Sequence, residues 1–137
     1  MKVALADITD APKILSFFKR NLCDNNSGIY SEEFFCPLGT QAAILRKQMI
    51  VAIVDDQIVG AFRFYRKKTS NSISLYQFAI NEGFRGQGVL KKMLRSINYL
   101  PIYVLCPIES KFNEYYFKSG WYLQEQNASF KVWEFKG

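Results

Sequence analysis

The sequence has 137 residues, 49% hydrophobic and 22% charged, which suffices for one domain with its own core and excludes a disordered chain. Its formal net charge is +6, which favours anionic partners, whether nucleic acid, a membrane surface or a phosphorylated cofactor. It contains no histidine, so Ser–His and Cys–His nucleophiles and imidazole metal sites are excluded, and no metal is expected.

In chain order, Lys2 to Leu5 reads as a strand. Thr9 and Asp10 offer a helix start, and Pro12 suits a first turn. Ile14, Leu15, Phe17, Phe18 and Leu22 then recur at helical spacing. Asp24 to Gly28 is a loop, and a second helix is expected over Thr40 to Arg46. Met49 to Val54 and Gln57 to Arg66 form a hairpin across Asp55-Asp56. After a turn at Thr69 to Ser72, Ile73 to Ile80 is apolar on both faces near its end, as expected of a central strand. Asn81 to Gly88 breaks the pattern, and Val89, Leu90, Met93, Leu94 and Ile97 return to helical spacing. Ile102 to Cys106 is a short strand and Glu109 to Ser119 a helix stopped by Gly120. Trp121 to Glu125 and Phe130 to Phe135 form a closing hairpin.

This order predicts a single α/β domain over residues 1–137, with a mixed sheet of six to seven strands and about four helices. The unit from Ile73 to Cys106 is expected to be a parallel crossover. Cys23, Cys36 and Cys106 are an odd number without close spacing, which argues against a disulfide framework and fits a reducing compartment. The first residues do not resemble a signal peptide and no apolar run reaches spanning length, so a cytoplasmic location away from membranes is expected.

The basic residues fall into three groups: Lys13, Lys19 and Arg20; Arg63, Arg66, Lys67 and Lys68; and Arg85, Lys91, Lys92 and Arg95. The third surrounds the glycine turn Phe84-Arg85-Gly86-Gln87-Gly88-Val89, which lies between a strand and a helix start. Main-chain N–H groups at such a start point outward, and glycines let an anion approach them. The turn is neither a P-loop, since Val89-Leu90 follows Gly88, nor a dinucleotide fingerprint, since position 91 is Lys91.

The turn resembles the pyrophosphate loop of the GCN5-related N-acetyltransferase family, Arg/Gln-x-x-Gly-x-Gly/Ala, with Arg85 and Gly88 matching. Leu90 stands where that family has glycine or alanine, and either narrows the phosphate site or points into helix packing. Downstream, Tyr115-Tyr116-Phe117-Lys118-Ser119-Gly120-Trp121 is similar to the family's Phe-Tyr-x-Lys-x-Gly-Phe. Tyr116, Lys118 and Gly120 match, while Glu109 and Phe112 replace the usual asparagine and alanine. Ala6 to Ile14 also resembles the family's opening strand and helix start, so the likeness in element order spans essentially the whole chain.

That resemblance implies an acyl-CoA N-acyltransferase fold, with acetyl-CoA or another acyl-CoA lying where the strands Ile73–Ile80 and Ile102–Cys106 splay apart. It implies that main-chain groups near Phe78, Ile80 and Asn81 hold the pantetheine arm and polarise the thioester. Amides from Arg85, Gly86, Gln87, Gly88, Val89 and Leu90 would cradle the pyrophosphate. It also implies direct attack by an amine, with Tyr116 as the acid that protonates the leaving thiolate. Tyr116 can equally be read as a core ring. Without histidine, the base is expected to be a carboxylate acting through water, for which Glu109 is preferred to Glu82 or Glu33. Glu109 can also be read as a solvated residue at a helix start, and Cys106 as a buried, inert thiol.

Three functions follow from these readings. The first is an acyltransferase acting on a small-molecule or protein amine. The second is a degenerate relative that binds CoA or only a partner, suggested by Leu90, Glu109 and Phe112. The third is a basic nucleic-acid-binding domain, which the charge alone suggests and no motif supports. The segment Cys23 to Gly39, with Tyr30, Phe34 and Phe35, is expected either to shape the acceptor pocket or to join the core. A free sheet edge or the closing hairpin is open to homodimer formation.

Overall fold

The computed structural model describes residues 1–22 and 35–137. Among these, seven strands make one mixed sheet in the order β1-β2-β3-β4-β5-β7-β6. The strands are β1 (Lys2–Leu5), β2 (Met49–Val54), β3 (Gln57–Lys67), β4 (Ser72–Ile80), β5 (Ile102–Pro107), β6 (Tyr122–Gln126) and β7 (Phe130–Phe135). The helices are α1 (Ala11–Asn21), α2 (Pro37–Leu45), α3 (Val89–Arg95) and α4 (Phe112–Lys118). The expected mixed α/β sheet is therefore present, with β4 at its centre. Cys23, Tyr30, Glu33, Phe34 and the loop Asp24 to Gly28 lie outside the described residues.

Two apolar clusters cover the two faces of the sheet. Ile14, Phe17 and Phe18 of α1 and Ala43 and Ile44 of α2 pack on Met49, Val51, Ala61 and Ala79, with Phe35 half-buried at the edge. On the other face Val89, Leu90, Met93 and Leu94 of α3 and Tyr116 of α4 pack with Phe62, Ile73, Ile102 and Trp133. Each fully buried ring or branched chain contributes about 1.5–3 kcal/mol. Gly60 has no room for a side chain, since a Cβ there would lie 2.9 Å from Met93 Sδ and 3.0 Å from Ile80 Cδ1.

Local chemistry explains the element ends. Asp55 and Asp56 take φ of 49° and 62°, as a tight two-residue hairpin demands. Of the two residues expected to start α1, Asp10 stands at the N-cap position, without a side-chain cap bond, and Pro12 lies in the first turn. Asp7 accepts from Thr9 N–H at 2.9 Å and caps a short 3-10 turn over Ile8–Asp10, so the α-helix begins at Ala11. The same bonds hold the Asp7 carboxyl below its ordinary pKa. The second helix starts at Pro37 rather than Thr40, with proline in the first turn where its missing N–H costs nothing.

Two boundaries near the candidate site also shift. Ile97 lies beyond α3, in a turn. Glu109 is not at the start of α4, because residues 108–111 form a turn in which Ser110 N–H donates to Pro107 O. Ser110 Oγ accepts from Phe112 N–H at 3.1 Å. The Asn113 amide nitrogen lies 2.8 Å from Pro107 O, 3.3 Å from Ile108 O and 3.1 Å from Ser110 O, and so holds the turn closed.

Candidate active site

The site originates in a mismatch between β3 and β4. Arg63 pairs with Gln77 and Phe64 with Leu75, so Tyr76 is an extra residue, a bulge on β4. A bulge adds twist and reverses side-chain parity. Ile73 and Leu75 before it, and Phe78 and Ile80 after it, therefore all face the α3–α4 side. The strand's apolar appearance on both faces has this cause. Parallel pairing of β4 with β5 runs over Ile73–Ile102, Ser74–Tyr103 and Leu75–Val104, and stops at the bulge. From Tyr76 onward the two strands diverge.

The main chain beyond the bulge has a definite orientation. Asn81 N–H donates to Val59 O at 2.8 Å. Antiparallel ladders alternate, so Ala79 also turns its N–H and C=O toward β3. Phe78 and Ile80 turn theirs the other way, toward the gap left by β5. Ile80 O accordingly meets the Arg85 Nε donor at 3.0 Å.

The glycine turn closes the gap at its far end. Gly86 and Gly88 have φ of +77° and +78°, and a Cβ at either would meet nothing within 4 Å. The turn thus needs left-handed backbone and leaves open space on its outer side. In α3 the first internal bond is Lys92 N–H to Gly88 O, which leaves the Val89, Leu90 and Lys91 N–H groups outside the helix ladder. Asn81 Oδ1 accepts from Gly83 N–H at 3.0 Å, and Gln87 Nε2 donates to Gly83 O at 3.1 Å, so both side chains brace the turn.

A cleft of about 570 Å³ runs along this path, within the range of small-molecule and cofactor sites. Of the residues singled out by sequence, Phe78, Ile80, Arg85, Gly86, Gly88, Val89 and Leu90 line it. Asn81, Gln87, Glu109 and Tyr116 are outside the lining. Leu90 is 5% exposed and belongs to the core beneath α3, so its side chain serves helix packing.

The opposite wall was not read from the sequence. Phe112, Tyr115 and Ser119 present one face of α4 to the cleft, with Trp121 beyond them and Asn21 and Leu22 at the α1 end. The spacing of Phe112, Tyr115 and Ser119 is the signal that could have found them. Phe78 packs against Phe112, Tyr115 and Tyr116 at ring-centroid distances of 5.7, 6.5 and 6.3 Å. Lys91 adds a cation to the α3 wall.

Tyr116 is 2% exposed, between Trp121 at 5.0 Å and Trp133 at 6.1 Å. Burial raises its phenol well above the ordinary value, and the neighbouring Cys106 and Tyr115 push the same way. Tyr116 therefore keeps its proton. Burial also raises Tyr115, against a hydrogen bond with Ser119, and Cys106, against Ser110 and Lys131. Glu109 is exposed on the turn after β5.

A seven-stranded mixed sheet that opens at its parallel pair beside a glycine turn defines the acyl-CoA N-acyltransferase fold of the GCN5-related N-acetyltransferases. Solved structures agree. The chain is similar to a PaiA N-acetyltransferase from Thermoplasma acidophilum in complex with coenzyme A, with TM-score 0.78 and 16% identity over 99% of this chain and 98% of that one. It is similar to a GNAT-family acetyltransferase from Listeria monocytogenes, with TM-score 0.73 and 14% identity over 97% and 92%. It is also similar to the diaminobutyrate acetyltransferase EctA of Paenibacillus lautus in complex with L-2,4-diaminobutyric acid and coenzyme A, with TM-score 0.68 and 12% identity over 97% and 92%. At the level of sequence, no family model and no curated protein matches the chain. Among the described residues, no helix is long and apolar enough to cross a membrane.

Proposed function

We propose that the protein is an N-acyltransferase that moves an acetyl group from acetyl-CoA, or a related acyl group, to a primary amine. The observation that carries this reading is the bulge at Tyr76, which frees the Phe78 and Ile80 main chain at the head of a cleft ending in the glycine turn. Two structural neighbours hold coenzyme A, and one of them also holds an amine substrate.

The residues present fit such a group. The open outer side of Gly86 and Gly88, with the N–H groups at the start of α3, suits a pyrophosphate. Arg85 and Lys91 add charge, and each charge-assisted bond contributes about 1.5–3 kcal/mol. Acetyl-CoA supplies, when bound, an acyl group activated as a thioester. The N–H groups of Phe78 and Ile80 face the gap and serve as donors to the thioester oxygen. An amine oriented at the gap would displace the CoA thiolate from the acyl carbon, the C–N bond replacing the C–S bond. Tyr116 is assigned to protonate the departing thiolate on its match to the family's motif; burial keeps the phenol protonated but also makes it a weaker acid. Glu109, acting through water, is assigned to take the proton from the amine.

A second reading is a module that binds CoA without transferring the acyl group. It is favoured by the positions of Tyr116 and Glu109 away from the cleft lining. Release of free thiol from acetyl-CoA, measured against a panel of amines, separates the two. Amine-dependent release establishes transfer. Acetyl-CoA binding without release against any amine establishes the module.

A further inference from the structure

Parallel pairing of β4 with β5 ends at Leu75–Val104, and the bulged Tyr76 is the first β4 residue beyond it, two positions before Phe78 in the cleft wall. The charged group at that place is Arg63. It pairs with Gln77 immediately before the bulge, on the α1–α2 face, opposite to its neighbours Phe62 and Phe64. Its guanidinium carbon lies 4.9 Å from the centroid of the Tyr76 ring, and Tyr65 packs on the same ring at 6.2 Å. Its Nη1 lies 3.7 Å from the Cβ position of Gly39 in α2. Arg63 is half-buried and, among the described residues, makes no ion pair. A carboxylate on β7, Glu134, is engaged by Lys136 at 3.4 Å.

We propose that the acceptor is a small amine that also carries a carboxylate, as an amino acid does, and that Arg63 binds that carboxylate. This rests on the acyltransferase reading and names its substrate class. A guanidinium laid on a ring is fixed in plane and presents its edge N–H groups to a planar acceptor, which a carboxylate matches with two bonds. Holding the carboxylate beside the bulge directs the other end of the molecule to the gap. The same charge disfavours a polycationic acceptor, since like charges repel most where water is partly excluded. Arg63 cannot serve the cofactor's phosphates, because the glycine turn and α3 lie on the opposite face of the sheet.

The test uses the intact protein with acetyl-CoA and matched acceptors: amino acids bearing a side-chain or α-amine, and the same amines lacking the carboxylate. Thiol release gives kcat/KM for wild type, Arg63→Met and Arg63→Lys. Acetyl-CoA binding is followed separately by melting temperature. The expected result is a preference for the carboxylated partner of at least about tenfold, lost in Arg63→Met through KM and partly kept in Arg63→Lys. An unchanged acetyl-CoA shift in the variants would place the effect on the acceptor side. Equal or better use of the decarboxylated amine by wild type overturns the inference and leaves the acyltransferase reading standing. Acetyl-CoA binding with no acetylation of any carboxylated amine also overturns it. Absence of acetyl-CoA binding overturns both. If Arg63→Met does not fold, the wild-type preference and Arg63→Lys decide.

Discussion

Trp133 on β7 donates its indole N–H to Asn113 Oδ1 on α4 at 2.9 Å, and the Asn113 amide nitrogen spans the carbonyls of the turn after β5. One buried side chain therefore ties α4, the Phe112–Tyr115–Ser119 wall of the cleft, to two strands. Asn113→Leu would leave the buried indole N–H without its partner, at roughly 1–3 kcal/mol, while Pro107 O and Ser110 O keep main-chain N–H donors. The expected loss of stability is about 1–3 kcal/mol in urea unfolding, with an unchanged m-value. A loss below about 0.5 kcal/mol would contradict this role.

Leu90 separates two accounts of the departure from the family's glycine or alanine. Its side chain is buried in the core beneath α3. Leu90→Ala is expected to cost about 2–5 kcal/mol of stability. Acetyl-CoA affinity, measured by calorimetry below the melting temperature, should not improve. A variant that binds acetyl-CoA tenfold more tightly would show that Leu90 narrows the phosphate site instead.

Tyr116→Phe tests the proton donor. If the phenol protonates the departing thiolate, kcat falls by about 10²-fold or more while KM for acetyl-CoA is kept. Equal kcat in the two proteins would leave Tyr116 as a core ring. The same substitution has a stability signature. The folded-state pKa of Tyr116 is raised, so above the unfolded value of about 10 the folded chain holds a proton that the unfolded chain loses. The contribution is full below that pH and is lost as the pH rises from there through the higher folded value. Unfolding stability of the wild type should therefore fall more steeply above about pH 10 than that of Tyr116→Phe.

Most of the element order was legible, because Ile14, Phe17 and Phe18 at helical spacing, and β-branched strands between aspartate or glycine turns, each have one cheap local solution. The glycine turn was legible for the same reason, since Gly86 and Gly88 stand where left-handed backbone is required. The bulge at Tyr76 was not. A single extra residue is visible only against its partner strand, and the parity change disguised it as a strand apolar on both faces. The rotation of α4 was hidden too. Asn113 sets it through long-range contacts with β5 and β7, so the start of α4 at Phe112 rather than Glu109 lay beyond local pattern. Arg63 read as one of several basic residues, because its place beside the gap depends on the same bulge.

The most direct measurement is the melting temperature with and without acetyl-CoA, in wild type and Gly88→Trp. At ~100 times its dissociation constant, a ligand stabilises by about 2.7 kcal/mol, a shift of several degrees for a chain of this size. Position 88 has φ of +78° and faces open space, so tryptophan strains the turn and fills its outer side. The account predicts a wild-type shift that is lost in a folded Gly88→Trp protein. No shift in the wild type at millimolar acetyl-CoA, or an equal shift in both, would contradict it.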